Sequence, residues 1–209
     1  MSARAEWIVV GGPLEPWQRL GLSVVDGVVP LFGTGIRFDP DAEPGIAGWA
    51  LSGLTDAPSG NGEVAPIDGL RTAAVPPSTP VLVEHAIGAI GLDHVVVTTD
   101  DLQRTCAAIE SATGSPLRRV REVGEIRQGF HRLGGGGGLI VEVVERRGLP
   151  KGPAWFWGLV INVEDLDAAA EHIGPDGIGA VTPAVQPGRM IATVRPALGL
   201  GVPVALMTP

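Results

Sequence analysis

Two spacings of apolar residues organise the chain. Residues 92–99 form an apolar run rich in β-branched Val95, Val96 and Val97, the composition of a strand. Polar Thr99, Asp100 and Asp101 follow, where a helix N-cap and first-turn acids belong. Leu102, Cys106 and Ile109 then recur at steps of four and three, which predicts a helix over residues 101–111 that Gly114, Ser115 and Pro116 close. Strand-like runs come next at 117–122, 125–133 and 139–145. The same order returns from Trp155: a strand, a helix over 165–173 with Leu166, Ala169, Ala170 and Ile173 inward, a break at Gly174-Pro175, and strands near 180–185, 189–195 and 202–207. His94 and Gly158 are equivalent positions 64 residues apart, and an Asp-Leu step begins seven residues after each. Two βαβββ units in tandem are predicted, over 91–148 and 155–209.

The first fifty residues repeat this order in a weaker form. A short strand at 6–10 leads to a helix entered through Pro13 and Pro16, then to strand-like runs at 22–31, 35–38 and 45–51, with a turn at Asp26-Gly27 in the first of them. Residues 1–53 are therefore expected to make a degenerate βαβββ module. From 54 to 80 the composition shifts to Pro, Gly, Ser, Thr, Asn and Asp, with turn or extended signals at Asn61-Gly62 and Pro76-Pro77, so 54–90 is expected to be a linker. The fold class is α+β.

Composition narrows the function. With 209 residues, 44% hydrophobic, the chain has the means to bury a core, while 31 glycines and 19 prolines call for many turns. A net charge of −8 argues against nucleic acid or an anionic membrane as partner. No signal-peptide pattern and no bilayer-length apolar run is present, so a cytoplasmic location is expected. One cysteine excludes an internal disulfide and a Cys-rich zinc site, and Cys106 belongs to the apolar helix stripe. The glycines from Gly134 to Gly138 read as a turn, because neither Lys-Ser nor Lys-Thr follows them and no helix starts there; nucleotide cofactors have no support. Adjacent Glu84 and His85 would face opposite sides of a strand and read as a solvated connector. His131 beside Arg132 reads as edge decoration, His172 as a favourable charge at a helix C-terminus, and the arginines at 118, 119, 121, 127 and 132 as a solvated edge.

Leu92-Asp93-His94-Val95-Val96-Val97 leading to Asp101-Leu102, with Leu139-Ile140-Val141-Glu142-Val143-Val144-Glu145 closing the unit, resembles the vicinal oxygen chelate superfamily of glyoxalases, extradiol dioxygenases and bleomycin- and fosfomycin-resistance proteins. His85-Ala86-Ile87-Gly88-Ala89, Gln186-Pro187-Gly188-Arg189 and Val204-Ala205-Leu206-Met207-Thr208-Pro209 are similar to glyoxalase-like proteins of actinobacterial type with an extra N-terminal segment. The resemblance implies two modules paired into an open, curved sheet with helices outside and a ligand cup inside. It also implies a divalent metal held by a first-strand and a last-strand residue of each module. His94 and Glu142 match those positions in the first module; Gly158 and Ala205 match them in the second and offer no side-chain ligand. Two ligands where three or four are usual predict weak metal affinity or none.

The residues leave two readings open. One is a small-molecule-binding protein without a cofactor, whose cup is lined by His94, Glu142, Phe156, Gly158, Asn162 and Ala205, polar on one flank and widened by glycine and alanine on the other. The other is a metal-dependent lyase, isomerase or dioxygenase in which Glu142 moves a proton. Loss of half the ligand set favours the first. Alternation along residues 155–162 places Trp155 and Trp157 under the helix and Phe156 and Asn162 toward the cup. A homodimer is expected if the degenerate module leaves an open sheet edge.

Overall fold

The computed structural model describes residues 3–55, 62–79, 81 and 83–209; Asn61, half of the expected Asn61-Gly62 turn, lies outside them. The elements in chain order are β1 (Arg4–Gly11), α1 (Glu15–Leu20), β2 (Val28–Val29), β3 (Gly35–Asp39), β4 (Gly45–Ser52), β5 (Gly62–Ile67), β6 (Leu70–Ala74), β7 (Ala89–Thr99), α2 (Leu102–Thr113), β8 (Arg119–Val123), β9 (Ile126–Arg132), β10 (Ile140–Arg146), β11 (Trp155–Val163), α3 (Leu166–Ile173), β12 (Thr182–Pro183), β13 (Met190–Thr193) and β14 (Val204–Met207). They form two mixed sheets, in the orders β2-β3-β1-β4-β6-β5 and β12-β13-β14-β11-β7-β10-β9-β8.

The eight-stranded sheet contains both predicted units. β7 and β11 are neighbours within it, and each pairs in parallel with the last strand of its own unit, β10 or β14. Both helices start where the acids predicted: Asp101 Oδ1 accepts from Arg104 N–H at 3.0 Å, and Asp165 Oδ1 accepts from Ala168 N–H at 2.9 Å. The inward stripe of α2 is buried at Leu102, Cys106 and Ile109 as its spacing predicts; α3 buries Leu166 and Ala169. Register is conserved between the units. His94 lies level with Ile140, so Glu142 falls two residues further on; Leu159 lies level with Val204 and Val160 with Ala205, which places Ala205 equivalently to Glu142.

Residues 1–53 supply the expected element order, but the sheet closes differently. In the eight-stranded sheet the last strand of a unit lies between its first strand and its hairpin; here β3 pairs directly with β1, and β4 lies on the other side of β1. β4 pairs in parallel with β6, and β6 antiparallel with β5, which repeats the unit's strand pattern without a helix. β5 and β6 lie in the stretch expected to be linker, joined at Asp68-Gly69, where both residues adopt positive φ. Among the described residues no helix is long and apolar enough to cross a membrane.

The chain divides into two compact units, with dividing points inside β1, β4, β7 and β11 and between residues 79 and 80. Unit 1 comprises residues 1–8, 48–79 and 94–157; unit 2 comprises 9–47, 80–93 and 158–209. In unit 1 buried Trp49 donates from Nε1 to Thr72 Oγ1 at 2.7 Å and meets Phe156 edge-on at 5.2 Å. Asp68 accepts from Arg104 Nε at 2.8 Å, which ties the β5–β6 hairpin to α2. Buried Glu6 accepts from Ser52 Oγ at 2.6 Å and from Ser78 N–H at 2.9 Å, so its charge is solvated by the protein. In unit 2 Trp17 packs edge-on against Phe38 at 5.7 Å.

Candidate functional site

One face of unit 1 gathers the polar residues of chemical interest. Continuous register across β7, β10 and β9 sets Val96, Glu142 and Phe130 in one row and Thr98, Val144 and Gln128 in the next. His94, Val96 and Thr98 therefore share a face with Glu142 and Gln128, while Val95, Val97, Val141 and Val143 fill the opposite face and are fully buried. On the polar face His94 Nε2 lies 3.4 Å from Glu142 Oε2, both side chains about 15% exposed. Gln128 donates from Nε2 to Glu142 Oε1 at 2.5 Å. Two atoms of this face remain buried without a hydrogen-bond partner: Thr98 Oγ1, in a residue 2% exposed, and Gln128 Oε1.

No family model matches the sequence, and no curated protein is significantly similar to it. Solved structures do match. Methylmalonyl-CoA epimerase from Mycobacterium tuberculosis superposes with a TM-score of 0.50 at 20% identity, covering 62% of this chain and 93% of its own. Methylmalonyl-CoA epimerase from Streptomyces coelicolor, in complex with 2-nitronate-propionyl-CoA, gives 0.45 at 18% identity over 56% of this chain and 95% of its own. A hypothetical protein from Bacillus halodurans gives 0.46 at 14% identity over 56% and 93%. The chain has the vicinal oxygen chelate fold. Identities this low establish architecture and leave chemistry to the residues.

The resemblance of the sequence implies a metal at His94 and Glu142, and their donors test that implication. A separation of 3.4 Å is compatible with two ligands about 2.0–2.2 Å from one ion. Catalytic sites of this kind take three protein ligands, however, and among the described residues no three His, Cys, Asp or Glu side chains are placed to hold one metal ion. The nearby amide presents its N–H, not its oxygen, to Glu142. This donor set does not make a tight resident metal site, and no step below is routed through one.

The four matched positions divide between the two units. His94 and Glu142 belong to unit 1, Gly158 and Ala205 to unit 2. Gly158 is also closed where an open flank was expected: a Cβ there would stand 2.7 Å from the Pro203 carbonyl oxygen, because the backbone leading into β14 packs against the glycine. Asn162 is likewise committed in unit 2, donating from Nδ2 to Asp93 Oδ1 at 3.2 Å and accepting from Arg189 Nη2 at 2.7 Å; Arg189 also pairs with Asp93 at 2.8 Å. Phe156 is occupied by Trp49 in unit 1.

Three further expectations change. Trp155 and Trp157 are 44% and 45% exposed, not the buried pair expected. His131 is buried, its Nδ1–H donating to the Ser115 carbonyl at 2.9 Å, and burial pulls its pKa below the ordinary histidine value. His85 is buried too. It accepts from Ser23 N–H at 3.0 Å through Nδ1 and donates from Nε2 to the Pro30 carbonyl at 2.9 Å, so both nitrogens anchor unit 2. Cys106 is the core residue expected, with burial pushing its thiol to about 12.

Sequence reading had no hold on Thr98 or Gln128. Each becomes visible only when the register of β7, β10 and β9 aligns it with Val144. A groove of about 590 Å³ in unit 2, with Phe32, Glu84, Ile90 and Glu164 on its walls, was signalled by no motif.

Proposed function

We propose that the polar face of unit 1 is a small-molecule site that holds one hydrogen-bonding end of its ligand at His94, Glu142, Gln128 and Thr98. The observation that carries this reading is the pair of buried, unpartnered atoms, Thr98 Oγ1 and Gln128 Oε1, on the same face as the His94–Glu142 contact. Leaving a buried polar group unsatisfied costs about 1–3 kcal/mol, and a ligand donating to Gln128 Oε1 and bonding the Thr98 hydroxyl removes that cost. Val96, Ile140 and Val144 make the rest of the central surface apolar, which suits a ligand with a polar end and an apolar body. The site lies within one unit of one chain.

A second reading is an isomerase-type enzyme. The His94–Glu142 spacing favours it, since neighbouring groups can remove a proton from one position of a substrate and return it at another. A divalent ion bound weakly with the substrate would add Lewis-acid polarisation.

Thermal-shift screening of small polar metabolites, with and without divalent metals, tests both readings. Compounds that stabilise the wild type are expected to lose their effect in Glu142→Gln and Thr98→Val. Equal stabilisation of all three proteins would remove the site from this face. Near-stoichiometric metal in the purified protein, lost together with activity in Glu142→Gln, would favour the second reading.

A further inference from the structure

The exposed Trp157 reaches the edge of the same face through Arg146. Along β10 the side chains of Glu142, Val144 and Arg146 alternate to one side, and the continuous register with β9 carries that face to Ile126, level with Arg146. The Arg146 guanidinium lies over the Trp157 ring, 5.9 Å from its centroid, so Trp157 reaches the edge of this surface, and Trp155 shares its side of β11. Both rings are nearly half exposed and Ile126 is 40% exposed. Exposed large apolar groups that form a contiguous patch mark contact surfaces. The Thr98 hydroxyl of this face is buried and without a partner, in a residue 2% exposed.

Charge decides what kind of molecule fits. Arg121, level with Gln128, and Arg146 stand on this face without a carboxylate within ion-pair distance among the described residues. The carboxylate at its centre, Glu142, already has His94 and Gln128. The surface thus offers aromatic stacking and an unneutralised guanidinium, with two buried, unpartnered hydrogen-bonding atoms on the same face as Arg146. We infer that the ligand of this face is a planar aromatic carboxylate, its ring against Trp157 and Trp155 and its anionic group at Arg146. This rests on the proposed site and specifies the chemical class it takes.

Calorimetric titration at neutral pH tests the inference with three probes: 2-naphthoate, the cationic naphthalene-2-methylamine and the non-aromatic cyclohexanecarboxylate. 2-Naphthoate is expected to bind at least about tenfold more tightly than either of the others. Arg146→Gln should weaken it about tenfold without affecting the amine, and Trp157→Leu should abolish its advantage over cyclohexanecarboxylate, with circular dichroism confirming that each variant is folded. Equal affinity for the three probes, or no measurable binding of 2-naphthoate, overturns the inference. Glu142→Gln and Thr98→Val separate the two levels of argument. If 2-naphthoate binding depends on Trp157 and Arg146 but is indifferent to these changes, the polar site fails. If another compound depends on Glu142 and Thr98 but not on Trp157 and Arg146, the site stands and the aromatic carboxylate is refuted.

Discussion

Replacing Thr98 by valine should make the protein more stable and less able to bind. The residue is 2% exposed, and its hydroxyl has no hydrogen-bond partner. Valine keeps the shape and exchanges the hydroxyl for a methyl group, so the variant recovers the cost of an unsatisfied buried group, about 1–3 kcal/mol. In a chain of this length each kcal/mol moves the melting temperature by roughly 2–4 °C, so a rise of at least about 2 °C is expected by calorimetry. Where the two units melt separately, the transition of unit 1 is the one that moves. Thr99 supplies a matched control one residue away. It is fully buried on the opposite face, and its Oγ1 accepts from Asp101 N–H at 3.1 Å, Arg104 Nη2 at 3.2 Å and Thr105 Oγ1 at 2.8 Å. Thr99→Val leaves these donors short of a partner and should lower stability by about 1–3 kcal/mol. Opposite signs at adjacent threonines are the signature of a hydroxyl kept for a ligand, a trade of stability for function. A fall in melting temperature for Thr98→Val would show that its hydroxyl is already satisfied in solution and would remove the main support for the site.

Other outcomes follow from the same geometry. Gly158→Ala should destabilise unit 2 by about 1–3 kcal/mol in urea unfolding, because the new Cβ meets the Pro203 carbonyl oxygen at 2.7 Å; an unchanged midpoint would mean that this backbone gives way freely. Burial holds the folded-state pKa of His131 below its unfolded value, so its contribution to stability is present above about pH 6.5 and lost as pH falls toward the folded value. His131→Asn keeps a donor for the Ser115 carbonyl and should reduce the drop in melting temperature between pH 7 and 5; parallel pH profiles would assign that drop to other groups. Divalent metal added to the ligand-free protein should raise the melting temperature by less than about 2 °C, since two strong donors bind weakly, and a large rise reversed by chelator would show that a third donor joins His94 and Glu142.

The helices and central strands were legible because each rested on several agreeing signals. For α2 these were an apolar run, Asp101 at the N-cap, a stripe at Leu102, Cys106 and Ile109, and Gly114 in the left-handed conformation at the C-cap. β5 and β6 had no such agreement: Pro66 interrupts the first, and the second, Leu-Arg-Thr-Ala-Ala, carries little apolar bulk. They are held by pairing with each other and with β4, which no local pattern records. The candidate site was half legible for a related reason. His94 and Glu142 stood out as chemistry within repeated strands, whereas Thr98 and Gln128 acquire meaning only from a register spanning three strands. The tryptophans make the limit sharpest. Alternation correctly separates Trp155 and Trp157 from Phe156, but it says only which residues share a side of β11, not what lies over that side. Leu159, Ile161 and Val163 farther along the same side are almost fully buried, so one alternating side passes from half exposed to buried within a single strand. An apparent core pair is therefore two half-exposed aromatic rings, and the Arg146 guanidinium lies over that of Trp157.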